Sequence, residues 1–370
     1  MERSESPAAE RVREILQAIT IVSPTTYRFA NHTMNVAADG HGPWTGVGPA
    51  TSPATPGIAG TPPAATHPLV LHLTQQLYQH CYCSRFDGTL RDAAVFTPPA
   101  EVEQIAFSAR LSAGNTGQDR WDTGWRIMSM LPSGQVLAQK GDRVRVLWGG
   151  EFVTIGSAGV PPAPGAGIQI YMPHESWTLQ PGYYYVLGTE TVDAQDDRDL
   201  IRVYWNVGTD EVASLVQLLT HTLNRFTVPF RFKCQVNPAA YARIDGTVLF
   251  VSRRYYHFVA ELIETYVLPG IGARLDTETP LFTKRLAPGL SVAEDPGTGE
   301  SFGMHRCRLL AEGALTAFEH GDRTGDGELL LAAVVDRFKR DGLDLEHPYL
   351  NAGSRDVYTL GAAGSKTYAA

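Results

Sequence analysis

Apolar residues recur at helical spacing over residues 6–20, where Val12, Ile15, Leu16 and Ile19 share one face and predict a first helix. A short apolar run, "ITIVS", follows. "HPLVLHLTQQLYQHCYC" and "PAEVEQIAFSARLSAG" predict two more helices, the second opened by a proline, as helix N-termini favour. Over residues 121–190 the period falls to two, with breaks at "PSG", "KGD", "WGG" and "QPG". That texture predicts antiparallel strands joined by turns, most clearly in "DRVRVLWGGEFVTIG" and "GYYYVLGTET".

From residue 200 onward strands and helices interleave. "LIRVYWNV" (200–207) reads as a strand, "TDEVASLVQLLTHTLNRF" as a helix capped by its Thr or Asp with leucines on one face, and "VPFRFKCQV" as a strand. "GTVLFV" (246–251) is a further strand, "YYHFVAELIETYVLPG" a helix and "PLFTKRLAPGLSVAED" an extended segment. "MHRCRLLAEGALTAFEHG" and "GELLLAAVVDRFKRDG" close the series as helices, before the loop "HPYLNAGSRD". This order predicts an α+β fold, a mixed or antiparallel sheet layered against helices. We expect two regions: residues 1–195, helical and β-hairpin in character and suited to peptide recognition, and residues 196–370.

Composition narrows the picture. Residues 38–66 are rich in Gly, Pro, Ala and Thr with almost no charge, which predicts a flexible loop. With 370 residues and 43% hydrophobic content the chain can bury a sizeable core. It has no apolar run of the roughly 18 residues a membrane span needs, and its start lacks the regions of a signal peptide. A soluble, cytoplasmic protein is expected, in which the sequon "NHT" at 31–33 goes unused. A net charge of −8 argues against a general nucleic-acid binder, so any anion site must be local. Cys81, Cys83, Cys234 and Cys307 are too few and too irregular for a disulfide framework or a zinc site and read as buried thiols. "DRTGDGE" (322–328) stops short of a calcium loop and reads as a polar turn between helices. The chain carries no P-loop, nucleophile elbow, HExxH or dinucleotide fingerprint.

Cations inside apolar strands are the candidate chemistry: Arg202 in "IRVYW", Arg231 and Lys233 in "FRFKC", Lys284 and Arg285 in "FTKRL". Alternation puts Arg202 with Tyr204 on one face, and Arg231 with Lys233 on one face. Such residues commonly line a solvated face or blunt an edge strand. Three strands sharing a basic face would instead crowd five cations together, which is unfavourable without an anion. Phosphate suits that role, because guanidinium forks match its oxygens. His305 and Arg306 sit at the N-terminus of the predicted helix "HRCRLLAEGALTAF", with Ser301 and Gly303 just ahead, where free N–H groups also favour an anion.

"RVYWNV", "PFRFKCQVNPAAYARIDGTVLFV", "PLFTKRLAPGLSVAEDPGTGESFGMHRCRLLAEG" and "HPYLNAGSRD" together resemble the HopA-type effector family, over nearly half of the chain. Members occur among bacterial type III effectors and beside lanthipeptide gene sets. The order of elements is also similar to that of phosphothreonine lyases, in which a strand lysine takes a Cα proton, a histidine acts as acid and arginines hold phosphate. The resemblance implies a class V lanthipeptide lyase that eliminates phosphate from phospho-Ser or phospho-Thr of a precursor peptide to give dehydroalanine or dehydrobutyrine. A separate kinase and a cyclase would be its partner proteins, and neither nucleic acid nor membrane is expected. Residue by residue it implies Lys233 as base and Arg243 as a phosphate ligand, while Tyr204 stands where the acid histidine belongs. Tyr204 or His305 would then protonate the leaving oxygen, with Arg202, Arg231, Lys284, Arg285 and Arg306 completing the phosphate site. No metal or cofactor is called for in that chemistry. The same family likeness is compatible with a non-catalytic module that docks phosphopeptides or a partner protein.

Overall fold

A computed structural model describes residues 7–36, 67–90, 100–156, 161–191, 196–321 and 326–361. The expected loop over 38–66 lies outside them, as does most of "DRTGDGE". Helix α1 (Pro7–Gln17) buries Val12, Ile15 and Leu16, then a meander follows of β1 (Ile19–Ser23), β2 (Thr26–Phe29) and β3 (His32–Asn35). Helix α2 (Pro68–Leu77) runs on into a π-helical turn, Tyr78–Tyr82, and α3 (Glu101–Gly114) comes next.

A curled five-stranded sheet is built from β4 (Arg120–Met130), β5 (Val136–Lys140), β6 (Arg143–Leu147), β7 (Phe152–Thr154) and β8 (Gly167–Met172). Its edge strands β6 and β7 are separated by only the turn Trp148–Glu151, so the sheet must bend back on itself. Its core, which includes Trp125, Ile127, Leu147, Ile168 and Ile170, is distinct from the main one.

The remaining strands form one seven-stranded sheet: β9 (Glu175–Ser176), β10 (Tyr183–Leu187), β11 (Leu200–Trp205), β12 (Phe230–Gln235), β13 (Thr247–Ser252), β14 (Lys284–Ala287) and β15 (Leu290–Glu294). Their spatial order is β14-β15-β11-β13-β12-β10-β9, and every pairing is antiparallel. The fold is α+β, as expected, with no parallel pair among the described residues. Two of the strands precede the 195/196 division, and one buried core runs from Val12 to Tyr358.

Five further α-helices lie among the described residues: α4 (Val212–Arg225), α5 (Tyr256–Leu262), α6 (Leu268–Ile271), α7 (Phe302–Glu319) and α8 (Gly327–Arg340). In α4, Val212, Leu215, Val216, Leu219 and Leu223 supply the buried stripe, but its cap position is Glu211 and no side chain caps it, contrary to expectation. Helix α7 starts three residues earlier than the sequence suggests, because Ser301 Oγ accepts from the Met304 N–H at 3.2 Å and fixes the first turn there.

Strand β11 is buried at all six positions, as are β13 and the five of β15. One face carries Ile201, Val203, Trp205, Leu249, Val251, Phe230 and Phe232, in the same core as the α4 leucines. The opposite face is polar, and it is buried as well.

Candidate active site

Register orders the polar face into rows, since directly opposed residues project to the same side. One row runs Ala293, Arg202, Phe250, Arg231 and Leu187 from β15 to β10. The next runs Ser291, Tyr204, Val248, Lys233 and Tyr185. Beyond it Gln235 faces Tyr183. Two strands, β11 and β12 on either side of β13, therefore bring Arg202, Tyr204, Arg231 and Lys233 to one surface; alternation predicts each pair, and register joins the pairs.

Lys233 is fully buried (0% exposed). Its Nζ donates to Gln180 Oε1 at 3.0 Å and lies 4.6 Å from the centre of the Tyr183 ring and 5.5 Å from that of Phe250. Burial first, and Arg202 second, hold its amine well below the ordinary lysine range, with the Asp245 and Asp295 carboxylates acting the other way. Gln180, in the turn before β10, also accepts from Tyr185 Oη at 2.9 Å and so plugs the face over the amine.

Carboxylates already attend the arginines. Arg202 Nε donates to Asp295 Oδ2 at 2.7 Å, and its Nη2 reaches the Glu300 carbonyl at 3.5 Å. Arg243 binds Asp245 through Nε and Nη2, both at 2.9 Å, and donates from Nη2 to Tyr78 Oη at 3.0 Å. Burial disfavours the charged form of Asp245, but the Arg243 guanidinium outweighs this and keeps the carboxyl below its usual range. Arg231 pairs with Asp197. Tyr204 is buried beside Arg202 and meets Tyr82 edge to face, with ring centres 6.4 Å apart, and burial pushes its hydroxyl above the ordinary tyrosine range.

The π-helical turn after α2 delivers Tyr78 and Tyr82, stacked at 5.3 Å, over this face. Gly303 in α7 makes that approach possible: a Cβ there would stand 2.4 Å from the Tyr82 ring. The segment from Asp295 to Ser301 closes the side near Arg202, turning through Gly297 and Gly299 at φ of 70° and 79°, values that favour glycine.

The other expected residues lie elsewhere. Lys284 pairs opposite Val292 and so projects to the apolar side of the sheet, where it binds Asp356. Arg285 is exposed at the sheet edge. Arg306 is buried, but its guanidinium clamps the C-terminal loop: Nε donates to the Pro348 carbonyl at 2.8 Å and Nη2 to the Leu350 carbonyl at 3.0 Å. His305 Nδ1 faces Arg306 Nη1 at 2.8 Å, and burial together with Arg306 and Arg308 lowers its pKa to about 3. The cluster at residues 300–313 thus ties α7 to the C-terminal loop, with Arg308 held by Glu300 and Glu312. Asp245, Asp295, Gln180, Tyr78 and Tyr82 belong to the site without having been singled out; the "YARID" spacing, which sets Asp245 two residues after Arg243, was the one local signal for any of them.

Residues 174–350 match the HopA1 effector protein family, a span that takes in every strand of the seven-stranded sheet. Among solved structures the chain is similar to the effector protein from Pseudomonas syringae pv. tomato strain DC3000, at 16% identity over 77% of this chain and 96% of that one, with a TM-score of 0.41. It is also similar to the effector protein from Pseudomonas syringae pv. syringae strain 61, at 14% identity over 75% and 88% of the two chains and a TM-score of 0.39. No curated protein matches. Among the described residues no helix is long and apolar enough to cross a membrane.

Proposed function

We propose that the HopA1-family domain is a carbon–oxygen lyase that eliminates phosphate from phospho-Ser or phospho-Thr in a precursor peptide, leaving dehydroalanine or dehydrobutyrine. The observation that carries this reading is Lys233: an amine at 0% exposure, held well below its ordinary pKa, on the same face as Arg202 and close enough to Arg243 to feel its charge. A neutral amine is what abstraction of an α-proton requires near physiological pH.

In this scheme the Lys233 Nζ lone pair takes the Cα proton. The C–H electrons become the Cα=Cβ bond, and the Cβ–O bond breaks with its pair leaving on phosphate. Tyr204, in the Lys233 row and hydrogen-bonded to Arg202, is the hydroxyl assigned to protonate the bridging oxygen. His305 is set aside as the acid, since a group with a pKa of about 3 holds no proton to give near neutrality. Arg202 and Arg231 are the phosphate ligands. Arg243, gripped at both ends of its fork by a buried aspartate, supports the site through charge. A substrate already phosphorylated implies a kinase acting before this step, and a cyclase would consume the alkene.

The test is reconstitution with a phosphorylated peptide. Wild-type protein should remove the mass of phosphoric acid, and Lys233→Ala should bind the phosphopeptide without converting it. A second reading, a non-catalytic module that docks a partner protein, is favoured by the carboxylate partner that each of Arg202, Arg231 and Arg243 already has, since a paired guanidinium has less call for a phosphate. It predicts that neither wild type nor Lys233→Ala converts the phosphopeptide.

A further inference from the structure

Nearly all buried polar atoms in folded proteins find a hydrogen-bond partner, and one that does not costs about 1–3 kcal/mol. The polar face breaks this pattern. Tyr183 Oη, Ser291 Oγ, Arg231 Nε and both ends of the Gln235 carboxamide are buried without a hydrogen-bond partner among the described residues. Gln235 is 0% exposed and Tyr183 is 1% exposed, and register sets them directly opposite each other.

Their position relative to the base gives them meaning. Gln235 follows Lys233 by two on β12, so the side chains run parallel on one face, roughly 6–7 Å apart. That is about the span from a base over a Cα proton to a donor at the carbonyl oxygen of the same residue. Arg202 and Arg231 occupy the row on the other side of Lys233, where the Cβ–O–phosphate arm would lie. The face therefore reads in sequence as cations, base, then neutral donors, matching phosphate, Cα–H and carbonyl of one phosphorylated residue.

We propose that Gln235 Nε2–H and Tyr183 O–H donate to the carbonyl oxygen of the phosphorylated residue and stabilise the negative charge that gathers there as Lys233 removes the proton. This assignment rests on the lyase reading. It makes the two residues catalytic, since both touch the substrate where charge develops, and it explains why evolution of a stable core has left a carboxamide buried and unpaired.

The experiment compares Gln235→Leu and Tyr183→Phe with wild type on a phosphopeptide, alongside thermal melting of the free proteins. Gln235→Leu should lower kcat by about 100-fold with KM changed by less than about threefold, the pattern of a lost oxyanion donor. Its free-protein Tm should be equal to or above that of wild type, because an unpaired carboxamide is replaced by an apolar group of similar size. Tyr183→Phe should show the same split. A kcat within threefold of wild type overturns the proposal, and so does a fall in Tm that tracks the loss of activity, which would make Gln235 a structural residue. Wild-type protein that fails to eliminate phosphate sinks the lyase reading instead, and the carbonyl role with it.

Discussion

Replacing Lys233 by Met tests the protonation state on which the chemistry depends without needing a substrate. The amine sits at 0% exposure, and burial is the leading cause of its lowered pKa. An unfolded lysine titrates near 10.4, so between the folded and unfolded values the unfolded chain binds more protons than the folded one. Stability must therefore rise with pH across that window and be lowest below it, by about 1.4 kcal/mol for each pH unit. Methionine has no proton to bind and a similar length, so Lys233→Met removes this slope. If Lys233 is neutral at physiological pH, the stability of Lys233→Met relative to wild type should shrink by about 2.7 kcal/mol between roughly pH 7 and 9. The lost hydrogen bond to Gln180 adds an offset that does not vary over this range, so it cannot imitate the trend. Urea unfolding of both proteins at several pH values reads the difference directly. A difference that stays flat with pH would mean that Lys233 keeps an ordinary pKa and cannot serve as a base at neutrality.

Three further perturbations separate site from scaffold. Arg306→Met should cost roughly 1–3 kcal/mol and speed proteolysis in the segment 347–358, because it strands the Pro348 and Leu350 carbonyls, while leaving phosphopeptide affinity within about twofold. His305→Gln should leave the pH profile of elimination unchanged between about pH 5 and 8, since a histidine with a pKa near 3 is neutral throughout that range; a lost acidic or basic limb would restore it as the acid. Gly303→Ala should destabilise by about 1–3 kcal/mol, measured by thermal melting, as its Cβ would stand 2.4 Å from Tyr82.

Much of this arrangement could be read from the chain, because strand alternation is a local signal. "IRVYW" and "FRFKC" put Arg202, Tyr204, Arg231 and Lys233 on defined faces before any partner strand was known, and register then made those faces one. The same rule sets Lys284 and Arg285 on opposite sides, as adjacent strand residues point apart, so the expectation that both join the cluster could not hold. The covering residues were not legible. Tyr78 and Tyr82 arrive from a helix more than 100 residues before the strands they cover, and nothing in the local pattern encodes that docking. His305 and Arg306 misled for a related reason: with Ser301 as the cap, both lie inside α7, and Arg306 finds its partners 42 to 45 residues further on.

Crowded arginines could both grip phosphate and lower the pKa of Lys233, and the geometry divides these roles differently. Burial is the larger cause of the lowered Lys233 pKa and Arg202 the next, while Asp245 and Asp295 act the other way. A lysine neutralised by neighbouring cations would stay neutral in a wet cleft, whereas one neutralised by burial regains its proton as water enters. On the lyase reading, Lys233 serves as a base only while Gln180, Tyr78 and Tyr82 keep the face dry. On that reading a phosphopeptide would have to displace part of that cover to reach the amine and replace it with its own apolar and peptide groups, so that the proton would move only once the substrate closes the site. Gly303 belongs to this logic as well: by letting Tyr82 lie against α7 it helps exclude water, and its replacement should depress turnover most strongly at low pH, where a hydrated lysine is fully charged.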